Sequence, residues 1–218
     1  NWGNIAGGAG STVAGGVGNS AGGAYSAIGG GLGNETSADH ATIGGGGEPT
    51  PFSPPLPPED WRPRWGNRVT DDYGTIAGGG KNVAGDNDAD AKSAARATVG
   101  GGWDNSASGE SSTVGGGEGN TASGKWASVP GGISNSAEGN YSFAAGRNAK
   151  ALYDGAFVWA DSADGNIASS RVDQFLVRAT GGVVFTSTIG SMLRMESVGQ
   201  GPGAEYSANI VGGYSGNV

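Results

Sequence analysis

The acidic run Asp86-Asn87-Asp88-Ala89-Asp90 is the segment of this sequence most similar to a metal-binding loop. Alternating acidic residues begin the calcium loop of an EF-hand, which also requires glycine at its sixth position and glutamate at its twelfth. Here Ala91 and Ala97 occupy those two positions. The glycine-rich nonapeptide of calcium-binding rolls is missing too. We therefore interpret the run as a solvated acidic loop and expect no metal site, with calcium binding as the alternative.

Catalysis by a serine or cysteine nucleophile needs a basic partner, and His40 is the only histidine of the chain. The chain contains no cysteine, which removes disulfides and thiolate metal sites. The GGG clusters lack the GK[ST] ending of a Walker loop and the strand–helix setting of a Rossmann loop. We predict that the chain is not an enzyme and takes no cofactor.

The amino-acid composition excludes several of the remaining classes of protein. Glycine accounts for 47 of the 218 residues, about three times the average share of roughly 7%. The glycines cluster instead of falling at every third position, which excludes a collagen helix. A net charge of −8 argues against nucleic acid as a partner, since phosphates require a basic surface. No apolar run approaches the roughly 20 residues of a membrane span, so we expect no membrane insertion by this chain.

A short internal repeat explains the glycine content. Aliphatic residues that precede a glycine cluster recur at a spacing of 15 in two runs, first Ile28 and Ile43, then Val99, Val114 and Val129. A fixed short period is typical of a solenoid, whose repeats bury their apolar faces by stacking on one another. Fifteen residues suit two short strands and two tight corners. We predict an all-β fold, a parallel β-solenoid with coils of about 15 residues and a narrow core lined by alanine.

Two other residue types follow the same period. Asparagine recurs at one predicted corner, where stacked side-chain amides would bond from coil to coil. This structural ladder consists of Asn19, Asn34, Asn105, Asn120 and Asn135. Ring-bearing residues recur just before the aliphatic positions and form a predicted outer ladder of Tyr25, His40, Tyr73, Trp126 and Tyr141. A surface stacking role is the better interpretation of His40.

The run "WASVPGGISNSAEGNYSFAAGRNAKA" resembles the head repeats of trimeric autotransporter adhesins, the YadA-like β-roll. The resemblance covers residues 1–46 and 73–161 and is most specific at "GNYSFAAGRNAKA". It implies a left-handed parallel β-roll, three chains packed side by side as a homotrimer, and an extracellular or cell-surface fibre. The heptads of that family's coiled-coil stalk do not occur in this sequence.

The period also predicts the organisation of the chain. We assign β-roll coils to residues 1–46 and 73–161, and a Pro-rich loop insertion to residues 47–72, because proline cannot donate to a sheet ladder. Residues 162–204 read as a β-hairpin that caps the roll, with arms "QFLVRAT" and "VVFTST". Residues 205–218 restart the roll pattern.

The Pro-rich insertion carries Trp61, Arg62, Arg64 and Trp65. Tryptophan and arginine are enriched in binding hot spots, which makes a recognition loop one interpretation. The interpretation we favour is a loop that folds over the roll and covers the apolar face of a neighbouring chain. Phe143, Phe157, Val158 and Trp159 exceed what a narrow interior holds, and we expect them at the trimer interface.

These patterns favour a non-enzymatic structural subunit of an extracellular fibre or filament. Both ends of the sequence read as unfinished coils, which favours subunits that stack head to tail. A segment of a longer tandem array and frayed capping coils are the alternative interpretations of these ends. The alternatives are an adhesin head that binds host or matrix ligands and the shaft of a phage tail fibre. The sequence does not identify a ligand.

Overall fold

The computed structural model describes residues 3–47, 66–88 and 90–184. Within these ranges the chain is all-β and contains no helix, as predicted. The strands are β1 (Ile5–Ala6), β2 (Thr12–Val13), β3 (Ser20–Ala21), β4 (Ala27–Ile28), β5 (Glu35–Thr36), β6 (Thr42–Ile43), β7 (Arg68–Val69), β8 (Thr75–Ile76), β9 (Val83–Ala84), β10 (Thr98–Val99), β11 (Ser106–Ala107), β12 (Thr113–Val114), β13 (Thr121–Ala122), β14 (Ser128–Val129), β15 (Gly132–Ile133), β16 (Ser136–Ala137), β17 (Phe143–Arg147), β18 (Ala149–Ala151), β19 (Phe157–Ala160), β20 (Ile167–Ala168) and β21 (Phe175–Arg178).

The strands form two parallel sheets that share every coil. The first sheet has ten strands, in the order β1-β3-β5-β7-β9-β11-β13-β16-β18-β20. The second has eleven, in the order β2-β4-β6-β8-β10-β12-β14-β17-β19-β21, with β15 pairing beside β17. Successive strands therefore alternate between the sheets, and successive coils lie on one another in register, for example Val99 beside Val114 and Val114 beside Val129. The predicted parallel β-solenoid with coils of about 15 residues is confirmed.

The core is a narrow double column of side chains between the sheets. On the second sheet the inward residues are mainly isoleucine and valine, such as Ile43 and Val114, both fully buried. On the first sheet they are mainly alanine, such as Ala107 and Ala122. Because side chains alternate between the faces of a strand, the neighbours of these residues point outward, and Thr113 beside Val114 is exposed.

Both insertions leave the solenoid register intact, although the boundary of the first differs from the sequence interpretation. The coils resume at Gly66 instead of residue 73, since β7 pairs with β5 and matches Arg68 with Glu35. The "GNRV" run carries the same Gly-Asn signal as the other coils, which the neighbouring prolines obscured. The polar insertion after Gly85 lengthens one coil. At its end the backbone N–H of Ala94 donates to the Asp71 carboxylate at 2.9 Å, which joins the insertion to the solenoid again.

The solenoid also extends beyond residue 161. Phe175–Arg178, interpreted from the sequence as the first arm of a hairpin, pairs in parallel with β19 as the last strand of the second sheet. Its alternation of apolar residues is shared by a hairpin arm and a solenoid strand, so the sequence pattern alone does not separate the two. Contacts divide the chain into residues 1–181, which contain the solenoid, and residues 182–218.

An ion pair holds the loop of the last coil. Arg178 Nε lies 2.9 Å from Asp161 Oδ1, and both side chains are largely buried. The arginine also donates to the carbonyl oxygens of Gly165 and Ala163, each at 2.7 Å. The backbone N–H of Thr180 donates to Asp161 Oδ2 at 2.6 Å. The Thr180 N–H, and to a smaller extent Arg178, stabilise the charged form of Asp161 and hold its pKa well below its usual range.

At one position that repeats from coil to coil, the short distance between coils requires glycine. Gly117 has φ +93°, and a Cβ there would lie inside van der Waals distance of the Gly132 carbonyl and 2.8 Å from Asn120 Nδ2. By contrast, a Cβ on Gly78 would meet no atom within 4 Å.

We expect Gly117→Ala to lower the free energy of unfolding by more than about 1 kcal/mol, because its backbone conformation and the coil above both oppose a side chain. The matched control Gly78→Ala should change it by less than about 0.5 kcal/mol. Thermal or denaturant unfolding of the two variants measures the difference. Equal stability of the two variants would contradict this account of the repeated glycine.

The pair formed by Asp161 and Arg178 predicts a pH dependence of the last coil. The folded pKa of Asp161 lies below that of the unfolded chain, about 3.9, so its stabilisation is present above that pH and is lost as the pH falls toward the folded value. Hydrogen-exchange protection of Phe175–Arg178 should therefore decrease between pH 5 and pH 2 more in the native chain than in Asp161→Asn. Parallel profiles for the two chains would refute the prediction.

Candidate functional site

The asparagine ladder is a continuous file of buried amides along one corner of the solenoid. Asn120 donates from its backbone N–H and from Nδ2 to Asn105 Oδ1, each at 3.0 Å. Asn135 repeats the arrangement on Asn120, at 3.0 and 3.1 Å. Asn34 does the same on Asn19, at 2.9 and 3.2 Å. Each amide thus accepts hydrogen bonds from the coil above and donates to the coil below.

Carbonyl groups satisfy the remaining capacity of each amide. Asn105 Nδ2 also lies 3.0 Å from the Gly101 carbonyl in its own coil and 2.8 Å from the Gly117 carbonyl in the next. A buried amide without partners costs free energy, so these contacts make the asparagine side chain fit this corner where an apolar one would not.

The structure adds three members to the ladder that the sequence interpretation missed. Asn67 and Asn82 link Asn34 to Asn105, and Asn4 accepts at the first coil from Asn19. Two of the steps span 33 and 23 residues instead of 15, because the insertions lie within them. The Gly-Asn pair at residues 66–67 is the signal that a search at a fixed spacing overlooks.

The outer ladder consists of exposed rings at the opposite corner. Tyr25, His40 and Tyr73 stack with centroid separations of 5.3 and 4.8 Å. Trp126 and Tyr141 stack at 4.8 Å. Tyr25 is 65% exposed and Tyr141 66%.

The backbone conformation at this corner explains why the ring-bearing residues recur at a regular spacing. All five ring-bearing residues have φ between 56° and 60°, a left-handed conformation that costs non-glycine residues about 1–2 kcal/mol. A hydrogen bond to the coil below compensates each of them, such as that from the Trp126 N–H to the Glu110 carbonyl at 2.9 Å. The corner therefore fixes the backbone, and stacking aligns the rings.

Charged residues separate the two ring stacks. Arg96 and Ser111 occupy the same left-handed corner position in the intervening coils. Arg96 pairs with Glu110, whose other oxygen lies 3.4 Å from Lys125 Nζ. The outer ladder is thus two aromatic stretches joined by a network of exposed ion pairs.

The proposed interface residues fall on two different faces. Phe143 and Phe157 point outward and stack at 4.6 Å, and Trp159 is 38% exposed. Val158 does not belong with them, because alternation along β19 turns it inward and it is fully buried in its own coil. Phe175, which the sequence interpretation placed in the cap, extends the stack at 4.7 Å from Phe157.

The acidic loop is organised by its own backbone. Asp86 Oδ1 accepts from the N–H of Asp88 at 3.1 Å, and Asp90 Oδ1 accepts from the N–H of Lys92 at 3.1 Å. Among residues 3–47, 66–88 and 90–184, no group of three histidine or acidic residues is arranged to hold a metal ion. The part of the chain that the structure describes also contains no helix long and apolar enough to cross a membrane. Trp61, Arg62, Arg64 and Trp65 lie outside the described residues.

Comparison with models of protein families finds no match, and comparison with curated proteins finds none either.

We expect Asn105→Ala to lower the free energy of unfolding by about 2–4 kcal/mol, because it leaves the buried N–H and Nδ2 of Asn120 without their acceptor. The control Asn4→Ala removes the exposed end of the same ladder and should cost about 1 kcal/mol or less. Denaturant unfolding monitored by circular dichroism compares the two. A loss at Asn105 no larger than that at Asn4 would show that the ladder does not stabilise the coils.

Proposed function

We propose that this chain is a non-enzymatic structural subunit of an extracellular fibre or filament, built from three parallel rolls packed side by side. The observation that carries the proposal is the strand pairing that runs through all the described coils, with a ladder of buried amides from Asn19 to Asn135. β-solenoids usually have structural roles. Ten coils at the strand spacing of about 4.8 Å make a straight rod on the order of 50 Å long.

Stiffness follows from the way these coils are joined. Adjacent coils share strand hydrogen bonds in both sheets, and most share ladder bonds as well, such as the two from Asn120 to Asn105, so bending must stretch several bonds at each level. In repeat proteins each unit contacts only its neighbours, and stability grows with the number of interfaces. A rod of this kind transmits force along its axis without relative movement of its parts.

End-to-end growth is the second element of the proposal. Within the described residues, β1 and β2 at one end and β20 and β21 at the other pair on one side only. Strands with one unpaired edge are templates for pairing with another chain. A further copy that continues the same register would extend both sheets.

The outer ladder favours a second candidate function, an adhesin head. Its exposed tyrosine and tryptophan rings, with arginine and lysine between them, have the composition of binding hot spots. Loss of binding to matrix or cell-surface material in Trp126→Ser, with the fold retained, would favour this function over an inert shaft.

We expect the smallest species in sedimentation velocity at micromolar concentration, the building block of the filament, to have three times the chain mass of 21.3 kDa. A trimer buries the apolar outer side chains of three rods, which a lone rod leaves in water. A stable monomer under these conditions would overturn the trimeric part of the proposal.

Head-to-tail growth in which the coil predicted at residues 205–218 continues the sheets into the next copy is tested by deletion of those residues. Electron microscopy should show long filaments of the full chain and short rods of the truncated one, with an unchanged β signal in circular dichroism. Filaments that persist in the truncated chain would contradict this mode of growth.

A further inference from the structure

Two outward positions in each coil of the second sheet carry no charge. They are the outward residue of each strand and the residue two positions further on, which point the same way. Beyond these positions β17 ends in Arg147, which is exposed and pairs with Asp164. We call this surface the uncharged face, and its members are Thr12, Ala14, Ala27, Gly29, Thr42, Gly44, Thr75, Ala77, Thr98, Gly100, Thr113, Gly115, Ser128, Pro130, Phe143, Ala145, Phe157, Trp159, Phe175 and Val177. All of them lie in the described part of the chain.

Every other side of the solenoid has charged residues. The outer face of the first sheet carries Glu35, Arg68 and Lys150. The two corners carry further charges, including Glu110 at one and Lys81 at the other. In a chain with a net charge of −8, the uncharged face therefore differs from the other sides of the solenoid.

The character of the uncharged face changes along the rod. Over the first seven coils its side chains are small, so another flat surface can approach closely. Over the last three coils the same position becomes Phe143, Phe157 and Phe175, stacked at 4.6 and 4.7 Å. Phe175 is 70% exposed, and Trp159 lies beside this column. Exposed clustered aromatic side chains mark an interaction surface.

We infer that the uncharged face is the surface through which copies of this chain associate, with Phe143, Phe157, Trp159 and Phe175 as its energetic centre. The inference rests on the proposed trimer and assigns its interface. Copies related by a threefold axis parallel to the rods place identical residues at the same height, and residues beside the axis face their own copies. A charge beside the axis would therefore meet its own copy, and like charges in contact oppose association.

The composition of the uncharged face also supports further copies of this chain as its partner. The cores of protein interfaces are depleted in charged residues and enriched in aromatic ones, which distinguishes this face from the rest of the surface. The stacked phenylalanines form a straight column along the rod, so three parallel copies meet ring against ring at the same three levels. Val158, buried behind this column, fixes β19 in the coil while Phe157 and Trp159 project from it.

The test uses two matched threonines. Thr113 is outward on β12 in the uncharged face, and Thr121 is outward on β13 in the first sheet of the next coil. Thr113→Asp should raise the concentration for half-dissociation of the full-length trimer about tenfold or more, because it places three carboxylates around the axis. Thr121→Asp should leave that concentration unchanged. Sedimentation velocity over a dilution series measures both.

Cross-linking gives a result that does not depend on destabilising the assembly. The chain has no cysteine, so Thr113→Cys and Thr121→Cys each introduce a single thiol. On oxidation, Thr113→Cys should form linked pairs up to about two-thirds of the chains, since one of three thiols at an axis is left over. Thr121→Cys should remain unlinked.

The outcomes separate the two proposals. A wild-type trimer that links through Thr121→Cys, or that tolerates Thr113→Asp as well as Thr121→Asp, overturns the assigned face and leaves the trimer standing. A monomeric wild-type chain overturns the proposed trimer itself, and the assigned interface with it.

Discussion

The buried side-chain amide at one corner of the coils, from Asn19 to Asn135, is the constraint on which most of this structure depends. An amide deep in a protein must be hydrogen-bonded on both sides, and here the partners are the equivalent amide and a glycine carbonyl one coil away. Only a stack with a fixed rise between coils satisfies this at every level. The same close approach excludes a side chain at Gly117 and brings the rings of the opposite corner within stacking distance.

The repeat made the fold predictable, because one spacing governs the apolar, asparagine and aromatic positions together. Val99, Val114 and Val129 defined the coil length, and the strand register agrees with it. Prediction failed where the spacing changes. Asn67 follows the Pro-rich insertion, and Phe175 belongs to a longer coil, so neither is found at a fixed interval.

The candidate site was harder to predict than the fold for a physical reason. Bulk alone placed Val158 with its aromatic neighbours, whereas the direction of a side chain depends on the pairing of its strand. The uncharged face was hard to predict for a similar reason. Its residues are far apart in the chain and form one surface only when the coils are stacked, so no local sequence motif indicates it.

The described coils on either side of the two insertions continue the ladder. The Asn67 N–H donates to Asn34 Oδ1 across 33 residues, and Asn105 donates to Asn82 Oδ1 from both its N–H and Nδ2 across 23. Lengthening a flexible loop costs little additional entropy, about 0.6 kcal/mol for each doubling. Corner segments are therefore free to be exchanged, enlarged or grafted in evolution and by design, while the rod keeps its pitch.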